Sequence, residues 1–405
     1  MKVEIAFDLA ANGVGDFFTL DDTTKGVLDN VNYTLAGEVL VDVTDTVRQI
    51  SIKRGRNRQL EKFTAGNASI VLDNRDRAYD PTNTSSPYFG SIVPRKEVVI
   101  SDVGVTLYTG QVADWNYNYS VTGDSTADVS CVDGLTLLVD PVLTAGTALA
   151  ELPSARINAV LDDIDWPETK RVLSTGNVAL DADVIEPDKV KALDYLNKVA
   201  VSEPGALFVN TNGDIVFRDR TDLQNAARSV VFGTGGIPFV DIAVEYGVEE
   251  MANNVSVTYY GGTAVAGTAV STDADSIAAY GTFDATYDTL LSSLDDAQEL
   301  ADWQVGLYSR PQYRVDRITV QLDGLNTTDQ QTVLGLELSD LVTVTWTPNN
   351  VGAALSQVVS IDSIEISASP ASRQVSFGLS QTTAAFILDD PLLGVLDTSI
   401  LGFWS

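Results

Sequence analysis

From Arg48 to Asp133 apolar and polar residues alternate in short runs separated by turn residues, the period-two pattern of strands with one face in a core. In QISIK, Ile50 and Ile52 face one way while Gln49, Ser51 and Lys53 face the other, and in NASIVLDN the residues Ala68, Ile70 and Leu72 share a face. The runs KEVVISD, VTLYTGQVADWNYNY and TADVSCVD bring the region to about five strands, a density that predicts a closed or sandwiched β domain.

Between residues 140 and 245 the period changes. SARINAVLDDID predicts a helix with Ser154 as its N-cap, and EPDKVKALDYLNKVAVSEPG a second one, with Pro187 near its start and Val190, Leu193, Leu196 and Ala200 along one face. ALFVNTNGDIVFRDR reads as a hairpin turning at Asn212-Gly213, and the glycine-rich FGTGGIP as a flexible linker. Beyond residue 250 the strand pattern returns in NNVSVTYYGG, followed by a loop-like stretch rich in Ala, Gly, Thr and Ser. A helix over 288–309 comes next, with Leu290, Leu294, Ala297, Ala301, Val305 and Tyr308 in one stripe. YRVDRITVQL, LELSDLVTVTW, SQVVSIDSIEIS and SRQVSFGLS form a second set of strands.

The two sets match in order. PRKEVVISD, LYTGQVADWNYN and TADVSCVD follow one another as ELSDLVTVTW, SQVVSIDSIEIS and SRQVSFGLS do. In SQVVSIDSIEIS the apolar phase slips between Ile361 and Ile364, the mark of a β-bulge, and Gly110 is the expected counterpart in the first set. The pattern predicts two copies of one barrel separated by an inserted α/β domain. Outside both copies, FTLDDTTKGVLD at 18–29 and FILDDPLLGVLD at 386–397 share the same acidic pair, glycine and apolar positions.

Charge narrows the partners. With 25 Lys plus Arg against 56 Asp plus Glu, the net charge of -31 repels polyanions and argues against general or sequence-specific nucleic-acid binding. It suits high solubility, a high-salt habitat, or a passage along which DNA slides without sticking. The absence of histidine removes Ser-His-Asp and Cys-His chemistry and the common zinc sites, and the lone Cys131 falls on the apolar face of a strand. Adjacent acids such as Asp21-Asp22, Asp162-Asp163, Asp295-Asp296 and Asp389-Asp390 cannot straddle a scissile bond. The run Asp73, Asn74, Asp76, Asp80 lacks the central glycine and closing glutamate of a calcium loop, so turn and capping roles are expected. No catalytic residue, cofactor or metal site is predicted. No run is apolar enough to cross a bilayer, and the acids in MKVEIAFDLAANG argue against a signal peptide.

One block carries a family resemblance. Residues 55–83 read GRNRQLEKFTAGNASIVLDNRDRAYDPTN. Gly55, Arg56, Arg58, Leu60, Phe63, Ala65, Gly66, Ala68, Leu72, Asp73, Asn74, Arg75, Asp76, Asp80, Pro81 and Asn83, followed by Ser86, Pro87 and Tyr88, resemble the N-terminal barrel of minor tail proteins of long-tailed phages. LYTGQVADW resembles that family's next block and AFILDDPLLGVLDTSILGFWS its C-terminal ending. The likeness is strong over about 48–115, good over the last twenty or so residues, and only architectural between.

The resemblance implies a mainly β fold with an α/β insertion: two tail-tube-like β-barrel domains flanking a small α/β domain. The expected division is 1–140 for the first barrel, 141–245 for the insertion, 246–383 for the second barrel with its helix at 288–309, and 384–405 for a docking tail. It implies a baseplate or tail-tip hub at the distal end of a virion's tail. As a homotrimer the hub would join the six-fold tail tube or distal tail ring to tip or fibre proteins, with DNA passing through its lumen and no membrane insertion. Expected contacts to other subunits or to the tail ring are Arg54, Arg56, Arg58 and Lys62 from the basic cluster, and Leu392, Leu393, Leu401, Phe403 and Trp404 from the tail. For the basic cluster, which could also bind DNA or lipid headgroups, pairing with acids of its own fold or of the next subunit is the simpler account in so acidic a chain. A cell-surface carbohydrate-binding or carbohydrate-active β protein is the alternative from another class.

Overall fold

The computed structural model of the chain describes residues 1–7, 23, 39–58, 61–144, 146–185, 189–226 and 228–381. Apart from Thr23, the repeated phrase at 18–29 and 386–397 lies outside the described residues, as do Leu60, Pro187, Leu392, Leu393, Leu401, Phe403 and Trp404.

The alternating runs of the first region form β1 (Lys2–Phe7), β2 (Val39–Asp42), β3 (Val47–Gly55), β4 (Thr64–Asp73), β5 (Glu97–Asp102), β6 (Val105–Asn118) and β7 (Thr126–Val132). They pair antiparallel in the order β3-β4-β7-β6-β5-β1-β2. Ile50, Ile52, Ala68, Ile70, Leu72, Ala127, Val129 and Cys131 are all buried, as alternation requires. Burial pushes the Cys131 thiol up to about 12, so it packs as a small hydrophobe.

The next segment contains β8 (Thr147–Ala148), α1 (Pro153–Asp163), β9 (Arg171–Leu173), β10 (Asp183–Val184), α2 (Ala192–Ser202), β11 (Ala206–Val209), β12 (Ile215–Arg218) and α3 (Arg220–Asn225). Its sheet runs β11-β12-β9, and α1 and α2 share a core with it through Ile157, Leu161, Leu196, Leu207 and Phe217. Two local expectations change. Ser154 does not cap α1: Leu152 holds that position and Pro153 opens the helix, where a missing N–H costs nothing. In the hairpin only Gly213 takes a positive φ, of 79°, while the Asn210 side chain accepts from the N–H groups of Asn212 and Asp214 and closes the turn.

The remainder forms β13 (Arg228–Gly233), β14 (Asp241–Tyr246), β15 (Asn254–Tyr260), β16 (Val265–Thr272), α4 (Ala274–Tyr280), β17 (Asp284–Asp288), α5 (Leu294–Tyr308), β18 (Tyr313–Gln321), α6 (Thr327–Leu334), β19 (Leu341–Trp346), β20 (Leu355–Ser369) and β21 (Ser372–Gln381). The stretch that reads as loop therefore holds a strand and a helix, and β16-β15-β17 make a small sheet against which α5 packs Ala297, Leu300, Ala301 and Val305. Helix α5 starts later than its stripe suggests because Ser293 caps it, accepting from Asp296 N–H at 3.1 Å; Leu290 is buried ahead of it and Leu294 is half exposed. FGTGGIP is a tight turn. Gly233 donates to the Ile237 carbonyl at 2.8 Å, and a Cβ on Gly233 would lie 2.0 Å from the Thr345 carbonyl oxygen.

The main strands of this second half pair in the order β14-β18-β21-β20-β19-β13. Those of the first half pair as β3-β4-β7-β6-β5-β1, so the same strand order is written twice, differing in that β13 lies parallel to β19 where β1 is antiparallel to β5. Both middle strands carry a bulge at the same place: β6 shifts register between Val112 and Asp114 against β7, and β20 between Ile361 and Ser363 against β21. The bulge expected near Ile361 is present, and its counterpart lies at Ala113, close behind Gly110.

The halves join edge to edge. After its bulge β20 leaves β19 and pairs with β3, Ser363 opposite Gly55 and Ala368 opposite Ile50, making one 13-stranded sheet. Among the described residues neither half closes on itself. A single apolar cluster runs across the join and contains Ile52, Ile70 and Val129 with Phe232, Ile318 and Phe377.

Gly55 makes this join sterically possible. Its φ is 108°, and a Cβ there would sit 2.1 Å from the Asp362 carbonyl oxygen at the bulge. Gly55→Ala is expected to lower stability by roughly 2–3 kcal/mol through strain and overlap. Gly90→Ala, at φ 84° with open space around it, should cost only about 1 kcal/mol from conformation alone. Urea unfolding of both variants measures the difference, and equal losses would contradict the steric account.

Candidate functional site

The basic cluster sits on the seam between the two halves. Strand β3 buries alternate residues, Ile50, Ile52 and then Arg54, so the alternation carries a guanidinium into a core position. Arg54 Nη2 donates to Glu337 Oε1 at 2.7 Å in the second half and to the Val209 carbonyl oxygen at 2.7 Å at the end of β11. Glu337 is held in turn by the N–H groups of Leu338 at 2.8 Å and Thr211 at 3.2 Å. One ion pair, buried at Arg54 and part-buried at Glu337, thus ties together β3, the inserted segment and the loop before β19.

Its neighbours repeat the theme with decreasing burial. Arg56 donates its backbone N–H to the Asp362 carbonyl at 2.9 Å and its guanidinium to Asp362 Oδ1 at 2.8 Å, so both groups engage the bulge residue. Lys53 faces outward and meets Glu365 at 3.0 Å, which Arg317 also reaches. Burial raises the Glu365 carboxyl, but the Lys53 hydrogen bond and the Arg317 charge outweigh it and leave its pKa below the usual value. Arg58 pairs with Glu249 at the surface, and Lys62 is exposed. The guanidinium groups of Arg54 and Arg56 are therefore engaged within the chain, while Arg58, paired with Glu249, and Lys62 stand at the surface. Arg218 adds a further tie, from β12 to Asp340 at 2.9 Å.

Asp133 closes the far end of β7. Its carboxylate accepts from Gly66 N–H at 2.6 Å and from Leu135 N–H at 3.0 Å. Burial lifts its pKa to about 6, against those hydrogen bonds and the Arg54 charge.

The loop after β4 is built from side chain to backbone turns. Asn74 accepts from Tyr79 N–H, Asp76 from Ala78 N–H, and Asp80 from the N–H and hydroxyl of Thr82. The Thr82 contacts and the Arg77 guanidinium hold the Asp80 carboxyl far below the usual range, and the Arg75 hydrogen bond brings Asp73 down to about 2. These acids are engaged by the loop itself. Tyr79 and Tyr88 stack at 5.5 Å and carry the loop onto Phe7 and Trp115 of the sheet.

A cleft opens where the two halves and the inserted segment meet. Arg56, Phe63, Trp303, Gln304, Tyr308 and Ser380 are among the residues that line it, and Lys62 stands in its wall.

Two measurements probe the seam. Arg54→Ala strands the Glu337 carboxylate and is expected to cost about 3–5 kcal/mol, whereas Arg58→Ala, from an exposed pair, should cost less than about 1 kcal/mol. Denaturant unfolding distinguishes them, and equal losses would remove Arg54 from its place in the junction. For Asp133 the folded pKa of about 6 lies above the unfolded value of about 4. Below pH 4 both states hold the proton. Between 4 and 6 the unfolded state releases it first, so this group's contribution declines as pH rises, by up to about 3 kcal/mol. Asp133→Asn should flatten that decline, read as the difference between wild-type and variant unfolding midpoints from pH 4 to 7.

No protein-family model matches the chain, and no curated protein does so. Solved structures do. The 43 kDa tail protein of prophage MuSo2 from Shewanella oneidensis aligns with a TM-score of 0.58 at 17% identity, covering 85% of this chain and 96% of that one. A tail protein from Neisseria meningitidis gives 0.56 at 16% identity, with 85% and 93% covered. An E. coli component of the type VI secretion system, described as structurally similar to T4 bacteriophage tail proteins, gives 0.50 at 10%, with 84% and 74% covered. The fold of this chain, a mainly β structure with an α/β insertion, is the fold of phage tail proteins.

Proposed function

We propose that the chain is a structural component of a phage-like tail and acts by assembly: a homotrimeric hub at the distal end of the tail, seated on a six-fold tube or ring and carrying tip or fibre proteins. The observation that supports this most is the repeated strand order. Two equivalent sheet modules in one chain let three chains present six modules to a six-fold partner.

The seam supplies a rule for how copies would meet. In the sheet order β14 stands in the second module where β3 stands in the first, and the half of β6 beyond its bulge stands where the corresponding half of β20 does. Within one chain β20 and β3 are paired. Among the described residues, β14 pairs only with β18, and β6 beyond Val112 only with β7. Repeating the seam between chains would set β14 of one copy beside β6 of the next and, carried through the registers, place Tyr246 near Trp115 and Val244 near Tyr117. Tyr246 is 67% exposed at this edge. Such head-to-tail pairing closes into a ring if each seam turns the sheet by one sixth of a circle. The net charge of -31 per chain would then line the assembly with repulsion towards DNA, easing passage of a genome.

Light scattering on the purified chain is expected to give three times the 43.3 kDa chain mass. Tyr246→Asp, which would place a carboxylate opposite Trp115 at the proposed joint, should raise the dissociation concentration at least tenfold while leaving the fold intact by circular dichroism. Any stable copy number other than three, or a Tyr246→Asp trimer as tight as the wild type, would overturn this reading.

A further inference from the structure

Strand β21 leaves its neighbours unevenly. Its pairing with β18 ends at Gly378, whereas Leu379, Ser380 and Gln381 remain paired with Ile361, Ser360 and Val359 of β20. The backbone is thus still extended where the described residues end, and Ser380 and Gln381 both line the cleft at the meeting point of the two modules and the inserted segment.

That cleft holds unmet hydrogen-bonding capacity. Arg56 Nε, Gln304 Oε1 and Ser380 Oγ line it, are buried, and have no hydrogen-bond partner. Gln304 and Ser380 are 8% and 4% exposed, too enclosed for bulk water to serve them freely. The set comprises one donor, one acceptor and one hydroxyl able to act as either, which is the complement of peptide N–H and C=O groups. Around it stand the apolar faces of Phe63, Trp303 and Tyr308, with the exposed Lys62 at the side.

The sequence that continues from Gln381 is TTAAFILDD. Four small residues, at about 3.3 Å each when extended, are enough to carry the chain across a cleft of side-chain dimensions. Phe386, Ile387 and Leu388 then offer apolar side chains of the kind the walls accept, and Asp389-Asp390 the charge that Lys62 complements. We propose that residues 382–390 occupy this cleft in the same chain, their backbone meeting Arg56 Nε, Gln304 Oε1 and Ser380 Oγ. The segment thereby acts as a strap holding the inserted segment and both modules together. This stands whether or not the assembly proposed above forms.

The test uses a chain ending at Gln381 and a fluorescein-labelled synthetic peptide of residues 382–397. The peptide should bind the shortened chain saturably, at least tenfold more tightly than it binds the full chain, whose cleft is already filled. Gln304→Arg in the shortened chain should weaken binding at least tenfold. Absence of binding to the folded shortened chain, equal binding to both chains, or indifference to Gln304→Arg would each overturn the proposal. If the shortened chain does not fold, the full chain carrying Gln304→Arg decides. Proteolytic nicking within 382–397 should quicken at least tenfold over the wild type, and an unchanged rate would sink the idea.

Discussion

Arg54 carries a full charge at a position that the alternation of β3 assigns to the core, and the architecture at the seam follows from how that charge is met. Taking a guanidinium out of water is costly unless a carboxylate and further acceptors replace the solvent. Here Glu337 and the Val209 carbonyl do so from two separate parts of the chain. The arrangement fixes register as well as proximity. A slip of β3 by one residue against β20 would turn Arg54 to the outer face and bring a small or polar neighbour inward, leaving Glu337 alone. The bulge at Asp362 and the positive φ of Gly55 accommodate each other at the same point, and Arg56 locks the bulge through backbone and side chain together. Three consecutive residues, Arg54, Gly55 and Arg56, therefore specify where one module ends and the next begins.

Much of this was legible from the chain and some of it was not, for physical reasons. Strands with one wet face announce themselves through alternation, so β3, β4, β7, β20 and β21 stand where the pattern places them, and the phase slip at Ile361 marks a real bulge. Strand β16 was hidden because VAGTAVST is made of small residues with weak alternation and lies at the edge of a three-stranded sheet. FGTGGIP reads as a linker by composition, but Gly233 answers a close approach to the Thr345 carbonyl of another strand and Gly236 one to the Val231 carbonyl, constraints that only the folded chain reveals. The same holds for the basic cluster. Arg54 is in phase with Ile50 and Ile52, a signal of burial available in the sequence, yet its partners lie 155 and 283 residues away. No local pattern identifies contacts at that separation, and Glu337, Asp362 and Asp133 accordingly escaped the sequence reading.

The two modules share strand order but not decoration, and this asymmetry bears on why both reside in one chain. The first carries the long turn-built loop after β4, packed on Phe7 and Trp115; the second carries β15, β16, β17 and α5 between β14 and β18. Two identical chains forming such a ring would decorate every module alike. Fusing two diverged modules makes the decoration alternate, so that an assembly built on the proposed joint keeps six similar sheets towards its inner face while its periphery repeats only three times. In such an assembly the covalent connection, reinforced by the Arg54 ion pair, would also remove the entropic cost of associating half of the joints. In the proposed assembly the sheet edges at β14 and β6 would be where one chain meets another, and the exposed tyrosine at the end of β14 lies where the pseudo-repeat of the seam would need it.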